Sequence, residues 1–334
     1  MPRVSRVVTL TDVAKRAGVH VSTASRALSS DPRIGAETVD RIRLLADEMG
    51  YEPDPAAAAL RTGRSGVLGV LVPRVSDYVL ATIYEGIDSR ATERGYNTFV
   101  SNTNDDPLRR REKLNDLLLR RVEGVVLGDA RLDGDELVGI LSKRGVPYVL
   151  VNRRLRGHPS VTTDDVLGGR LAASHLLELG HENVGIIAGP SYVSTCAERT
   201  HGFVSQFRSA GMGLDEGRII NSGTDAVGGY EAGSALLAGN PDLTAIFAIN
   251  DFAAIGAMGA VREFGKVPGR DVAVVGYNDV PLSSYLPVPL TSVSSPMFQM
   301  GQEAMTLLFD LMAGGEAESL LLTPHLVARA STVP

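Results

Sequence analysis

Between Thr9 and Arg26 the chain carries side chains suited to gripping a polyanion. Thr9, Thr23 and Ser25 are short hydroxyls of the kind that bind phosphate oxygens, and Arg26 offers a planar fork for a guanine edge or a phosphate. Residues 1–30 hold Arg3, Arg6, Lys15, Arg16 and Arg26 against Asp12 alone, so this end is basic although the whole chain has a formal charge of −6. Any nucleic-acid contact must lie there. A second set is spread along the remainder: Asn152, Asn250 and Asn278 each follow a strand-like apolar run, and Arg199 lies in a helical start after Ala188-Gly189-Pro190. Amides both donate and accept, while a guanidinium suits vicinal hydroxyls or a carboxylate. Ligands of open α/β sheets sit beyond the strands' carboxyl ends, where the three asparagines fall.

The elements that must hold these groups follow from periodicity. Thr9-Leu10-Thr11-Asp12 reads as a capping box; Leu10, Val13, Ala14 and Ala17 then form one apolar stripe that Gly18 ends. Residues 21–28 form a second short helix whose first turn exposes Val21 and Ser22, with Arg26 one turn further on that face. A third helix begins at 34–37, shows Val39, Ile42, Leu45, Ala46 and Met49 on one side, and closes at Gly50. Two short helices hinged at a glycine, with a supporting third, outline a helix-turn-helix.

From Gly66 the texture changes to apolar runs alternating with amphipathic stretches, the signature of parallel sheets. Strands are expected at 67–72, 97–101, 124–127, 148–151, 184–188, 218–221, 245–249 and 272–276. Helices at 108–120, 168–179 and 251–264 fall between them, and one at 298–312 follows. Two doubly wound units of about 120–150 residues each account for the pattern.

At 44% apolar and 22% charged residues, the composition is that of a globular chain large enough for more than one core. The single cysteine, Cys196, excludes an internal disulfide and a cysteine-based metal cluster. The first residues lack a secretory pattern and no run approaches ~20 apolar residues, so a cytoplasmic chain without membrane spans is expected. No nucleophile elbow, phosphate-binding glycine loop or HExxH motif appears, and His175 and His181 do not share a helical face. No enzyme activity, cofactor or metal is therefore expected. The pairs Asp105-Asp106 and Asp164-Asp165 precede amphipathic helices and read as caps.

The stretch VTLTDVAKRAGVHVSTASRAL (residues 8–28), followed by Gly50-Tyr51-Glu52-Pro53, resembles the helix-turn-helix of the lactose/galactose repressor family. The remainder resembles that family's sensing core, of the type I periplasmic-binding-protein kind, through Glu198-Arg199-x-x-Gly202-Phe203, Ala248-Ile249-Asn250-Asp251 and Val275-Gly276-Tyr277-Asn278-Asp279. The resemblance implies a DNA-binding domain at 1–52 and a hinge at 53–65. It implies an effector-binding and dimerisation core at 66–334, with one subdomain near 66–160 and 292–322 and the other near 161–291 and 323–334. By the same resemblance Leu60 wedges into the minor groove beside Ala57, while Arg199, Asn250 and Asn278 contact an effector. Ser76, Asp77 and Tyr78 follow the first strand, and Thr224 and Met297 match positions that often stack on sugars. Asn278 stands where sugar binders usually have aspartate, and His20 and Gly35 stand where capping serines are frequent, which predicts weaker caps.

These expectations describe a homodimer on two-fold double-stranded operator DNA, most simply a repressor controlled by a sugar-like effector. The alternative is a sugar-binding transport protein with no DNA-binding function.

Overall fold

In the computed structural model, which describes residues 8–52, 64–316 and 318–332, the chain divides into two units, Met1–Ser65 and Gly66–Pro334. The first holds α1 (Leu10–Ala17), α2 (Val21–Leu28) and α3 (Ala36–Met49). The expected capping box starts α1: Asp12 N–H donates to Thr9 Oγ1 at 3.3 Å, and Thr9 N–H donates to Asp12 Oδ2 at 3.0 Å. Gly18, at φ 68°, makes the left-handed turn into α2 that a side chain would strain. Val13, Ala14, Ala17, Ala24, Ala27, Val39, Ile42 and Ala46 close the core, and the five alanines among them let short helices approach. His20 does cap α2, because its Nδ1 accepts the Ser22 N–H at 3.3 Å. Gly35 supplies no side-chain cap to α3, as expected. Ala57, Leu60, Arg3 and Arg6 lie outside the described residues.

In the second unit the chain runs β1 (Val67–Val72), α4 (Tyr78–Glu93), β2 (Asn97–Asn102), α5 (Pro107–Leu119), β3 (Gly124–Leu127), α6 (Glu136–Arg144), β4 (Tyr148–Val151) and β5 (Ser160–Thr163). It continues through α7 (Asp165–Glu178), β6 (Val184–Ala188), α8 (Ser194–Ser209), β7 (Ile219–Asn221), α9 (Ala226–Gly239), β8 (Ala245–Ala248), α10 (Asp251–Glu263) and β9 (Ala273–Asn278). It ends with β10 (Thr291–Ser294), α11 (Met297–Met312), β11 (Leu320–Leu322) and β12 (His325–Val327). Two six-stranded sheets form, ordered β11-β5-β4-β3-β1-β2 and β12-β10-β9-β8-β6-β7. Among the described residues every strand pairing is parallel except β10 with β12.

The crossings between sheets fall slightly later than the expected subdomain edges. β5 pairs with β4, so the first sheet holds the chain through Thr163 rather than 160, and β10 pairs with β9, so the second holds it through Ser294 rather than 291. The return to the second sheet falls between Leu322, the end of β11, and His325, the start of β12. Both shifted strands are Ser/Thr-rich and buried, which hides them from an apolar-run search.

Each sheet is covered on both faces by helices, giving apolar cores above and below. α11 returns from the second sheet to pack on α4 over the first. In the second subdomain α7 and α8 touch at Gly169, where an added Cβ would run into the Arg199 carbonyl. That close crossing seats Arg199 against Asp165 at the start of α7.

Candidate nucleic-acid interface and ligand cleft

α2 buries Ala24 and Ala27 and turns Ser22 and Arg26, four residues apart on one face, to solvent. Val21, Thr23 and Ser25 are half-buried beside them, and Thr9 is exposed at the start of α1. Lys15 and Arg16 are exposed in the last turn of α1. Three further cations of this unit are engaged locally: Arg33 pairs with Asp31 at 2.6 Å, Arg41 donates to the Ala17 carbonyl at 3.2 Å, and Arg43 donates to Ser30 Oγ. The Arg33 hydrogen bonds hold the Asp31 carboxyl well below the usual carboxylate range. A helix of this width fits a major groove.

In the second unit a cleft of about 420 Å³ opens between the carboxyl ends of the two sheets. It gathers Ser76, Asp77 and Asn152 from the first subdomain with Arg199, Thr224, Asn250 and Asn278 from the second. Two expected residues stay out of its lining. Tyr78 is exposed on α4, and Met297 is buried in the core between α4 and α11.

Arg199 projects from α8 and is held on three sides. Its Nε donates to Asp165 Oδ1 at 2.7 Å, its Nη1 donates to the Ile249 carbonyl at 2.7 Å, and its guanidinium carbon lies 3.7 Å from the Tyr277 ring centroid. Burial pushes the Asp165 carboxyl up to about 6 in spite of Arg199, and it raises the Tyr277 hydroxyl well above its usual value. Nη2 has no partner among the described residues.

The asparagines divide into different roles. Asn250 caps α10, its Oδ1 accepting the Ala253 N–H at 2.8 Å, while its Nδ2 donates to the Thr224 carbonyl at 2.8 Å. Both amide atoms are thus engaged, and Asn250 ties the exposed Thr224 loop to α10. Asn278 ends β9 at φ 97° and leaves Oδ1 buried with no partner among the described residues. Asn152 follows β4 at φ 64°. Asp77 caps α4, accepting from Val79 and Leu80 N–H groups.

Sequence reasoning missed Arg153 and Asp105, which both line the cleft. Arg153 donates from Nη1 and Nη2 to the two oxygens of Asp105 at 2.7 and 2.8 Å. In the pair Asp105-Asp106 only Asp106 caps α5, through the Arg109 N–H. The signal for Arg153 was its place directly after Asn152. The reading also missed the edge that joins the subdomains: Leu132 N–H donates to the Tyr192 carbonyl at 2.9 Å, Arg131 sits 3.8 Å from the Tyr192 ring centroid, and Arg154 pairs with Glu198 at 2.8 Å. Cys196 lines the cleft with its thiol pushed up by burial.

A helix-turn-helix unit followed by two doubly wound subdomains around a polar cleft defines a class of bacterial regulators, and comparison supplies the family. Residues 9–54 match the family described as bacterial regulatory proteins, lacI family, and residues 173–332 match a periplasmic binding protein-like domain. The chain is 32% identical over 333 residues to the HTH-type transcriptional regulator DegA of Bacillus subtilis (strain 168), covering 98% of each chain. It is 29% identical to the HTH-type transcriptional repressor CytR of Escherichia coli (strain K12), covering 97% of this chain and 96% of that one. Among solved structures it superposes on the lac repressor dimer bound to operator and an anti-inducer with a TM-score of 0.90 at 27% identity, covering 98% of this chain and 100% of that chain. A complex of the regulator CelR with cellobiose gives 0.76 at 31% identity, covering 97% of this chain and 99% of that one. The chain belongs to the lacI family of DNA-binding transcriptional regulators. No helix among the described residues is long and apolar enough to cross a membrane.

Proposed function

We propose that this chain is a cytoplasmic repressor that binds a two-fold operator as a homodimer and leaves it when a small sugar-like effector fills the cleft. In this reading Ser22, Val21 and Arg26 face base edges, Thr9, Thr23 and Ser25 hold phosphates, and Ala57 and Leu60 enter the minor groove. One helix-turn-helix reads too few base pairs for genomic specificity, so two copies act together, as in the operator-bound lac repressor dimer. Cellobiose in the CelR complex and ribose in an Enterococcus faecium relative favour a sugar-like effector. Arg199 and Asn278 contact it, with Ser76, Asp77, Asn152 and Thr224 around them. The cleft binds and does not catalyse.

The observation that carries the reading is the outward Ser22–Arg26 face on α2, in the same chain as a cleft with unspent polar groups. A transport protein would have no use for that face. The test is selection of duplexes from fragmented genomic DNA by the full chain, followed by footprinting. The expected result is a pseudo-palindromic site protected over two half-sites; enrichment of no common sequence would refute it.

A further inference from the structure

His20 does more than close the first turn of α2. From an extended N-cap at φ −70° and ψ 148°, its Nδ1 meets Ser22 twice, accepting the backbone N–H at 3.3 Å and lying 2.8 Å from Oγ. A backbone N–H can only donate, so Nδ1 turns its lone pair to Ser22 and the hydrogen-bond network assigns the ring proton to Nε2. A lone pair cannot donate either. The short contact to Oγ is therefore the Ser22 hydroxyl donating its proton to the imidazole. Both residues are exposed, on the helix whose outward face carries Ser22 and Arg26.

A serine hydroxyl in a major groove ordinarily serves any base, because it rotates to donate or to accept. Here its one proton is already placed, and Ser22 has only lone pairs to offer. The major-groove groups that a lone pair can meet are the exocyclic amines, N6 of adenine and N4 of cytosine. O6 of guanine and O4 of thymine are acceptors and would face it lone pair to lone pair. In the free protein water makes good either orientation. Once a groove excludes water, turning the hydroxyl toward a keto oxygen strips Nδ1 of the closer of its two donors, and that loss counts against the base. A serine at position 20 would cap the helix by accepting a backbone N–H, but it would put no imidazole nitrogen beside Ser22 Oγ.

We propose that His20 is a positioning residue for base selection: by holding the Ser22 proton on Nδ1 it makes the hydroxyl an acceptor, which selects adenine or cytosine over guanine or thymine on the strand that Ser22 faces. The assignment rests on the reading above that sets Ser22 against a base edge, and it adds the polarity of that contact.

The test is parallel selection of duplexes by the full chain as wild type, Ser22→Ala and His20→Ser, read as base frequency at each position. Ser22→Ala marks the position that Ser22 reads, one per half-site, by losing the preference there. At that position the wild type favours adenine or cytosine by about fivefold or more. His20→Ser keeps the cap yet relaxes this preference to about twofold or less, while the rest of the site is still selected; a residue that served only as a cap would be replaced by serine without effect. A second measurement uses the wild type alone and so does not depend on any variant folding. Its selected duplex is titrated beside one in which the preferred base carries no exocyclic amine, and affinity falls about fivefold. Guanine or thymine favoured at the marked position, the same preference in His20→Ser, or unchanged affinity for the duplex without the amine overturns the proposal and leaves the DNA-binding reading standing. A common site that Ser22→Ala selects unaltered takes Ser22 off the base edge and the proposal falls with it. Enrichment of no common sequence by the wild type removes both readings.

Discussion

The guanidinium carbon of Arg199 lies 3.7 Å from the centre of the Tyr277 ring while its Nε holds Asp165 at 2.7 Å. Arg199 is therefore a structural ion-pair partner and, in the proposed reading, a ligand donor as well. Replacing it with alanine leaves Asp165 buried and unpaired, so Arg199→Ala should lose about 3–5 kcal/mol of stability together with effector response. Adding Asp165→Asn removes the stranded charge. The double variant should recover most of the stability in a denaturant titration and none of the ligand binding, whereas recovery of both would show that Arg199 contributes only to packing.

Arg26→Ala should weaken operator binding by about 1–3 kcal/mol and relax base preference at one position per half-site. Ligand binding in the cleft should not change, because α2 and the cleft belong to different units. Operator titration beside ligand titration checks both halves, and a uniform loss on specific and random duplexes would reassign Arg26 to phosphate contact alone.

His20→Ala should lose the cap on α2, at a cost of about 1 kcal/mol, while His20→Ser should keep it. Amide hydrogen exchange at Ser22 and Thr23 in the full chain reads this locally. Equal protection in all three proteins would mean that the imidazole is not the cap.

Asp251 gives a pH signature. It is buried at the start of α10, accepts from Ser292 Oγ at 2.5 Å and Val280 N–H at 2.7 Å, and burial pushes it up to about 6. Because its folded value is raised, the native state holds the proton more tightly than the unfolded chain does. Its contribution to stability is fully present below about pH 4 and is lost as pH rises through 6. The stability difference between wild type and Asp251→Asn should therefore fall by about 3 kcal/mol from pH 4 to pH 7. A difference that grows over that interval would have the wrong sign.

Much of this was legible in the chain because the elements announce themselves chemically. Thr9 and Asp12 spelled the first cap, Gly18 the turn, and the run 184–188 a buried strand. β5 and β10 escaped because Thr162, Thr163, Thr291 and Ser292 are polar yet buried: the hydroxyls of Thr163 and Ser292 bond to Ser295 and Asp251, a long-range arrangement that no local pattern encodes. The cleft shows the same limit. Arg199, Asn278 and Asn152 were found by their positions after strands or in a motif, but that Asn250 spends its amide on α10 and Thr224 could only emerge from the packing. Arg153 and Asp105, forty-eight residues apart, meet only when β4 and the end of β2 lie in one sheet.

The central claim, that the chain is a sequence-selective DNA-binding protein governed from its cleft, is tested most directly by one titration. A fluorescent duplex carrying the selected site and a scrambled duplex of equal length are each bound by the full chain at fixed salt, with and without a small sugar that binds the full chain in a calorimetric titration. Selective affinity about 10³-fold or more above the scrambled duplex, reduced when ligand is added, is the predicted result. Equal affinity for the two duplexes, or selective binding that saturating ligand leaves unchanged, would contradict it.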